Sequence, residues 1–511
     1  MTKRIGFYIF FLLFSIKLTA QPNIVFILSD DLSFRDLSCY GQTNYQTPHI
    51  DQLAQTATRF TQAYAAAPEC APSRGCLLTG LHAGRSPIRN NQSARGEEYL
   101  PKSSVTFPKI LQQQGYTTAI IGKWGLGYAN TEGSPLQQGF NYQYGYLSHY
   151  EAHSYFPEQL FENGKPVILS ENKGFDMASL YNKEGKIGKF DFNTMYNDAG
   201  QCKEVTEKKR AYASDIFDEK AAAFLGKQDK NKPFFLYFTT NLPHGPTIVD
   251  DFRQLKDRKD MDLMSKEWGS MVQRLDISVG KIIQKLKDLN LYDNTLIVFA
   301  SDNGYAMHNA KTIDGKKVWQ DDPYLHNKGS FAGGKFTVRE AGVRIPFFIK
   351  APQQTQNRTV STPVWLVDLF PTLIAQSGYK KPLTTDGHNL TSILRGGKND
   401  IPNERFFYFF KQNEQAVRWG SWYAFRESPQ EPLHLYLPEE DQTGACNMAA
   451  AYPDVVKKIE QYLSKVHEPH AWFWNPGDTQ ADYEKKKILA KQTNQLIPNY
   501  RPNGMVKMPW E

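Results

Sequence analysis

Short runs of apolar residues alternate with longer stretches in which apolar positions recur at helical spacing, and this alternation holds through the first three quarters of the chain. Strands that read apolar at every position must be covered on both faces. The pattern therefore predicts an α/β fold, a large mixed and mainly parallel sheet flanked by helices. Five runs have the length and the β-branched or aromatic content of buried strands: residues 23–28, 117–121, 234–239, 295–300 and 346–349. Four of them are followed at once by polar, chemically capable residues. Ser29-Asp30-Asp31 follows the first, Gly122-Lys123 the second, Asn241-Leu242-Pro243-His244 the third and Ser301-Asp302-Asn303-Gly304 the fourth. Ligands of open parallel sheets bind beyond the carboxyl ends of the strands, so these four segments are expected to meet at one rim.

The periodicity weakens between 380 and 404, at Lys380, Lys381, Pro382 and the stretch Gly396-Gly397-Lys398-Asn399-Asp400. Beyond it, residues 405–410, 416–418, 422–425 and 433–437 read as short antiparallel strands, followed by a helix over 453–466. The expected organisation is residues 1–20 as a signal peptide, 21–385 as the main domain and 386–511 as a smaller C-terminal subdomain. That subdomain would combine antiparallel sheet with helix and end in a surface-wrapping tail from about 468.

The amino terminus carries Lys3 and Arg4 before an apolar run over 5–16 and the small-residue end Leu18-Thr19-Ala20. A run that short suits a cleaved export signal better than a membrane anchor, and no later segment is long enough to span a bilayer. The mature protein is expected to be exported, periplasmic or extracellular, with no membrane span. Loss of Lys3, Arg4 and Lys17 lowers the formal charge from +7 to +4. Acidic residues are interspersed among the basic ones, which excludes a nucleic-acid stripe and leaves anionic substrates open. Five cysteines, at 39, 70, 76, 202 and 446, are too few and too odd in number for a disulfide scaffold.

Asp30, Asp31, Asp302 and Asn303 form a candidate set of hard oxygen donors for calcium or magnesium, although each dipeptide alone also reads as a loop or helix-cap pair. The stretch from Cys70 to Gly80 puts a cysteine before an expected helix start, where backbone amides and Arg74 favour an anion. A thiolate phosphatase is one reading. However, only three residues separate Cys70 from Arg74, where such loops place five, and a buried structural cysteine is the other alternative.

The same eleven residues, Cys70-Ala71-Pro72-Ser73-Arg74-Gly75-Cys76-Leu77-Leu78-Thr79-Gly80, resemble the sulfatase signature C-x-P-S-R-x-x-L-x-T-G at every fixed position. The resemblance continues in family order. It includes residues 22–41 with the metal aspartates, the lysine loop 122–127, the Pro-His-x-Pro segment 243–246, the second metal strand 298–304, the lysine segment 333–346, and 368–372 with Asp386-Gly387. It implies an alkaline phosphatase-like fold and one calcium ion on Asp30, Asp31, Asp302 and Asn303. It also implies that a separate maturation enzyme converts Cys70 to formylglycine, whose hydrate attacks sulfur and keeps a second hydroxyl with which to expel sulfate. Arg74, Lys123 and Lys335 would surround the sulfate, and His244 would hold or protonate the leaving oxygen. Three carboxylates against a divalent ion leave one negative charge and the sulfate adds another, so the three cations offset both.

One position departs from the family. Gly125 stands where the lysine loop commonly has a histidine that deprotonates the diol during sulfate expulsion. His153 is the first candidate to replace it and His149 the second. The resemblance implies a sulfuric ester hydrolase, with a sulfated glycan or oligosaccharide as expected partner and 142–157 as a recognition loop. His326, Lys328 and Arg339 are further polar residues near the second lysine segment. Two other classes remain open: a phosphonate or phosphodiester hydrolase on the same cysteine and metal cluster, and a noncatalytic glycan-binding protein suggested by Gly125.

Overall fold

The computed structural model describes residues 21–175, 195–306, 310–313, 316–397 and 400–498. The expected signal peptide, Lys398 and Asn399 of the predicted break, and the tail beyond 498 lie outside the described residues.

A ten-stranded sheet forms the centre. Its middle is a set of parallel strands in the order Thr295–Ser301, Asn23–Ser29, Phe234–Thr239, Thr117–Lys123 and Tyr142–Tyr146. Every residue of the first three is buried, as the unbroken apolar runs required. Successive side chains of one strand enter opposite cores. Ile24, Phe26 and Leu28 join one cluster with Cys76, Leu77 and Leu78 of the helix Cys70–Thr79. Val25 and Ile27 join the other, with Trp268, Leu275 and Ile282 of the 26-residue helix Leu263–Asp288. That helix starts on Asp262, whose side chain accepts from Ser265 N.

The four strands expected to carry chemistry are neighbours and run parallel, so their carboxyl ends open on the same rim. The fifth predicted strand is the exception in direction. Phe347–Lys350 pairs antiparallel with Thr295–Ser301. It is buried throughout all the same, because it lies between that strand and Thr58–Phe60. The opposite edge ends in the antiparallel hairpin Gln159–Glu162 and Lys165–Ile168.

A separate four-stranded antiparallel sheet comprises Phe406–Lys411, Glu414–Trp419, Trp422–Arg426 and His434–Tyr436. The helix Pro453–Val466 follows it. Phe407, Phe409, Val417 and Tyr423 belong to the same core cluster as the face of the large sheet that carries Cys70–Thr79. The chain after 466 folds back over residues 84–95, where Glu468 N donates to Gly84 O and Ala94 N to Trp472 O. It then forms the helix Gln480–Gln492. All five cysteines are free thiols.

Candidate active site

Cys70 is the first residue of the helix Cys70–Thr79, all of which is buried. Pro72 falls in the first turn, where its missing N–H costs nothing. Asn91 meets the open end of the helix, accepting from Ala71 N at 3.0 Å, and the first intrahelical bond runs from Ser73 N to Glu69 O at 3.2 Å. The positive end of the helix thus faces the strand rim, an arrangement that favours an anion there.

Cys70 Sγ lies 3.3 Å from Asp30 Oδ1. Burial pushes the thiol far above its ordinary value, and the carboxylates of Asp30 and Asp302 push it further. A thiolate nucleophile needs the opposite. Lys123 Nζ is 2.6 Å from Asp30 Oδ2, and both side chains are fully buried. Gly122 lets this strand end approach its neighbour, since a Cβ there would lie 2.0 Å from Thr239 O. Arg74 Nε donates to Asp302 Oδ2 at 2.9 Å and Nη1 to Lys123 O at 2.8 Å. Lys335 Nζ sits 2.7 Å from Asp31 Oδ1 and 3.0 Å from His244 Nε2.

These pairings split the carboxylates electrostatically. Burial alone would raise Asp30, but Lys123, Arg74 and Lys335 outweigh it and hold the group well below the usual carboxylate range. Burial, followed by the charge of Asp30, pushes Asp302 up to about 6. Asp31 is also raised by burial and by Asp30. Three acidic groups so close together do not ionise together without cations, and the site supplies three.

The residues fit a hard divalent ion. Asn303 Nδ2 donates to Asp31 Oδ1 at 2.7 Å, while its Oδ1 is buried with no hydrogen-bond partner. An unfilled buried amide oxygen beside three carboxylates is a ready ligand. Among the described residues, His, Cys, Asp and Glu side chains form one group able to hold a metal, which extends the predicted aspartates. It joins Asp30, Asp31, Cys70 and His244, all within 4.8 Å of one another. Asp302 turns one oxygen to Arg74 and accepts from Asp31 N at 3.1 Å with the other. The two predicted strand ends therefore meet, and Cys70 and His244 join them.

His244 Nδ1 donates to Gly245 O, which leaves Nε2 to accept from Lys335. His153 stacks on the His244 ring at 4.5 Å and 12°. Burial and the neighbouring His244 push it well below the ordinary histidine value. A Cβ on Gly125 would lie 3.2 Å from the Cβ of His149. His326 is exposed and pairs with Asp321, Lys328 Nζ donates to Phe331 O at 2.5 Å, and Arg339 covers the Phe425 ring at 3.6 Å. None of these three lines the cleft.

A cavity of about 590 Å³ opens above Cys70. Sequence reasoning missed part of its wall. Lys411 comes from the small sheet, and Trp474, Tyr483 and Lys487 come from the returning tail. Trp474 and Tyr483 stack at 4.7 Å. The aromatic composition of the tail was the available signal, but nothing local tells a wrapped tail from a cleft wall.

A family model described as Sulfatase matches residues 22–379. An N-acetylgalactosamine-6-O-sulfatase of Bacteroides thetaiotaomicron is 28% identical over 499 residues, covering 87% of this chain and 93% of its own. Human N-acetylgalactosamine-6-sulfatase is 30% identical over 434 residues, covering 80% of this chain and 74% of its own. Among solved structures, Ps i-CgsB in complex with k-i-k-neocarrahexaose superposes with a TM-score of 0.70 at 25% identity, covering 93% of this chain and 99% of that one. The chain belongs to the sulfatase family, sulfuric ester hydrolases of the alkaline phosphatase-like superfamily.

Proposed function

We propose that the protein is an exported, calcium-dependent sulfatase that removes sulfate from a carbohydrate through a formylglycine made from Cys70 by a separate maturation enzyme. The observation that carries this reading is the position of Cys70. It stands at the positive end of a buried helix, 3.3 Å from Asp30, with Lys123, Arg74 and Lys335 ranged around the same carboxylates.

Asp30, Asp31, Asp302 and Asn303 would hold the calcium. Bound there, the ion supplies a Lewis acid for the sulfate and for the attacking oxygen. Lys123, Arg74 and Lys335 are buried cations already oriented by their hydrogen bonds, so they can meet negative charge on the sulfate oxygens without reorganising. Lys335 and His244 share a hydrogen bond of 3.0 Å, a pair able to hand a proton to the departing alcohol oxygen. His153 lies flat on His244 and holds its ring, with Nε2 turned toward Lys335.

The relatives and the cleft support this substrate class. The first two relatives are named for sulfated N-acetylgalactosamine, and the solved neighbour holds a neocarrahexaose. Trp474, Tyr483, Lys411 and Lys487 give the cleft aromatic faces and cations, which suit a sulfated oligosaccharide. The export reading rests on residues 1–20 of the sequence. Among the described residues no helix is long and apolar enough to cross a membrane.

Comparing a sulfate monoester with a phosphonate monoester on one matured preparation tests the reaction class. Release of sulfate from the glycan ester at a kcat/KM well above that for the phosphonate is expected. A preference for the phosphonate would replace this reading with a phosphonate hydrolase.

A further inference from the structure

Gly125 removes the base that the family resemblance puts at that position, and His149 closes the space. The backbone of Gly125 has φ +77°, a region in which an L side chain is strained. The segment carrying His149 runs alongside it because Gly125 N donates to Leu147 O at 2.9 Å.

His149 is 1% exposed and shares the cleft wall with Cys70, His153 and His244. Its Nδ1 lies 2.9 Å from Glu97 Oε1, and its own amide donates to the same oxygen at 3.2 Å. The Ser148 hydroxyl lies 2.9 Å from that oxygen and 3.0 Å from Oε2, and the Tyr128 hydroxyl donates to Oε2. A carboxylate held this firmly accepts a hydrogen bond from Nδ1–H, the tautomer that leaves the lone pair on Nε2. Nε2 is buried and has no hydrogen-bond partner. This is the arrangement of an oriented general base whose acceptor atom awaits a proton. His153 instead lies flat against the His244 ring at 4.5 Å.

We propose that His149, aligned by Glu97, is the base that completes turnover, an inference that rests on the reading of Cys70 given above. The proton of the remaining hydroxyl on the residue-70 side chain passes to Nε2, and the O–H electron pair forms the new C=O bond. The carbon–oxygen bond to sulfate breaks, and its electron pair leaves on sulfate. Glu97 is a positioning residue, since it touches only the imidazole and its surroundings.

The test separates the two halves of the reaction. His149→Ala and Glu97→Gln are followed with an aryl sulfate by stopped flow for phenol release and by intact mass spectrometry during turnover. For His149→Ala the expected result is a phenol burst equal to the enzyme concentration, followed by turnover slowed by roughly 10²–10⁴-fold. The protein should then be heavier by one SO₃ group. Glu97→Gln should show the same signature with a loss of roughly 10–100-fold, and in both variants the burst itself reports an intact fold. Wild-type turnover in both variants, or loss of burst and turnover together with no mass increase, overturns the assignment. A wild-type protein without an aldehyde at position 70 after maturation overturns the underlying reading as well, and it is detected before any variant is made.

Discussion

Lys335→Met is the perturbation that tests the electrostatic design of the site most completely. The ammonium is buried, 2.7 Å from Asp31 Oδ1, and also bonds His244 Nε2. At an effective dielectric constant near 20 the attraction to Asp31 alone is about 6 kcal/mol. Burying the ammonium takes back part of this, so breaking the pair should destabilise the metal-free protein by about 3–5 kcal/mol. Methionine keeps the length and removes only the charge. Chemistry suffers separately, because one preorganised donor to the sulfate is lost, at a cost of roughly 10²–10³ in kcat. Thermal unfolding of the chelated protein, with and without calcium, reads the first effect. Aryl sulfate kinetics read the second. The variant should melt several degrees lower, regain much of the loss with calcium and hydrolyse ester slowly. A kcat/KM within threefold of wild type would refute the placement of Lys335 on the sulfate, and a melting temperature indifferent to calcium would refute the shared carboxylate.

Trp474→Ala should leave hydrolysis of a small aryl sulfate within about twofold while weakening a sulfated oligosaccharide by roughly 10-fold, the scale of one lost ring contact; equal losses on both substrates would remove the tail from the recognition surface. Glu267 is buried under Tyr196 and Thr247, and burial pushes it up to about 8. The folded state therefore holds its proton more tightly than the unfolded chain, and stability falls as pH rises from about 4.5 to about 8, by about 4–5 kcal/mol. Glu267→Gln, which cannot titrate, should flatten that decline in denaturant titrations across the window; an unchanged slope would show that another group causes it.

Much of the site was legible because several of its residues lie at or just beyond the ends of buried strands. Asp30, Lys123 and Asp302 are fixed by the ends of Asn23–Ser29, Thr117–Lys123 and Thr295–Ser301, and parallel neighbours bring such ends to one edge. Direction was less legible. Phe347–Lys350 has the buried pattern of a parallel strand yet runs antiparallel, since burial on both faces carries no information about polarity. The contrast between His149 and His153 was illegible for a related reason. Both follow the strand Tyr142–Tyr146; the chain packs His149 against Gly125, and the short turn Glu151–His153 brings the His153 ring onto His244. Lys411 and Trp474 reach the cleft, and Glu97 reaches His149, through long-range chain paths, and their local sequences show no sign of it.

The central claim is that residue 70 becomes the nucleophile in a calcium site. Peptide mass spectrometry of the Cys70 segment, after co-expression with a formylglycine-generating enzyme, tests it most directly. The account predicts a residue that has lost sulfur and two hydrogens and gained one oxygen, in proportion to specific activity. Full sulfatase activity from protein with an intact thiol at position 70 would contradict it.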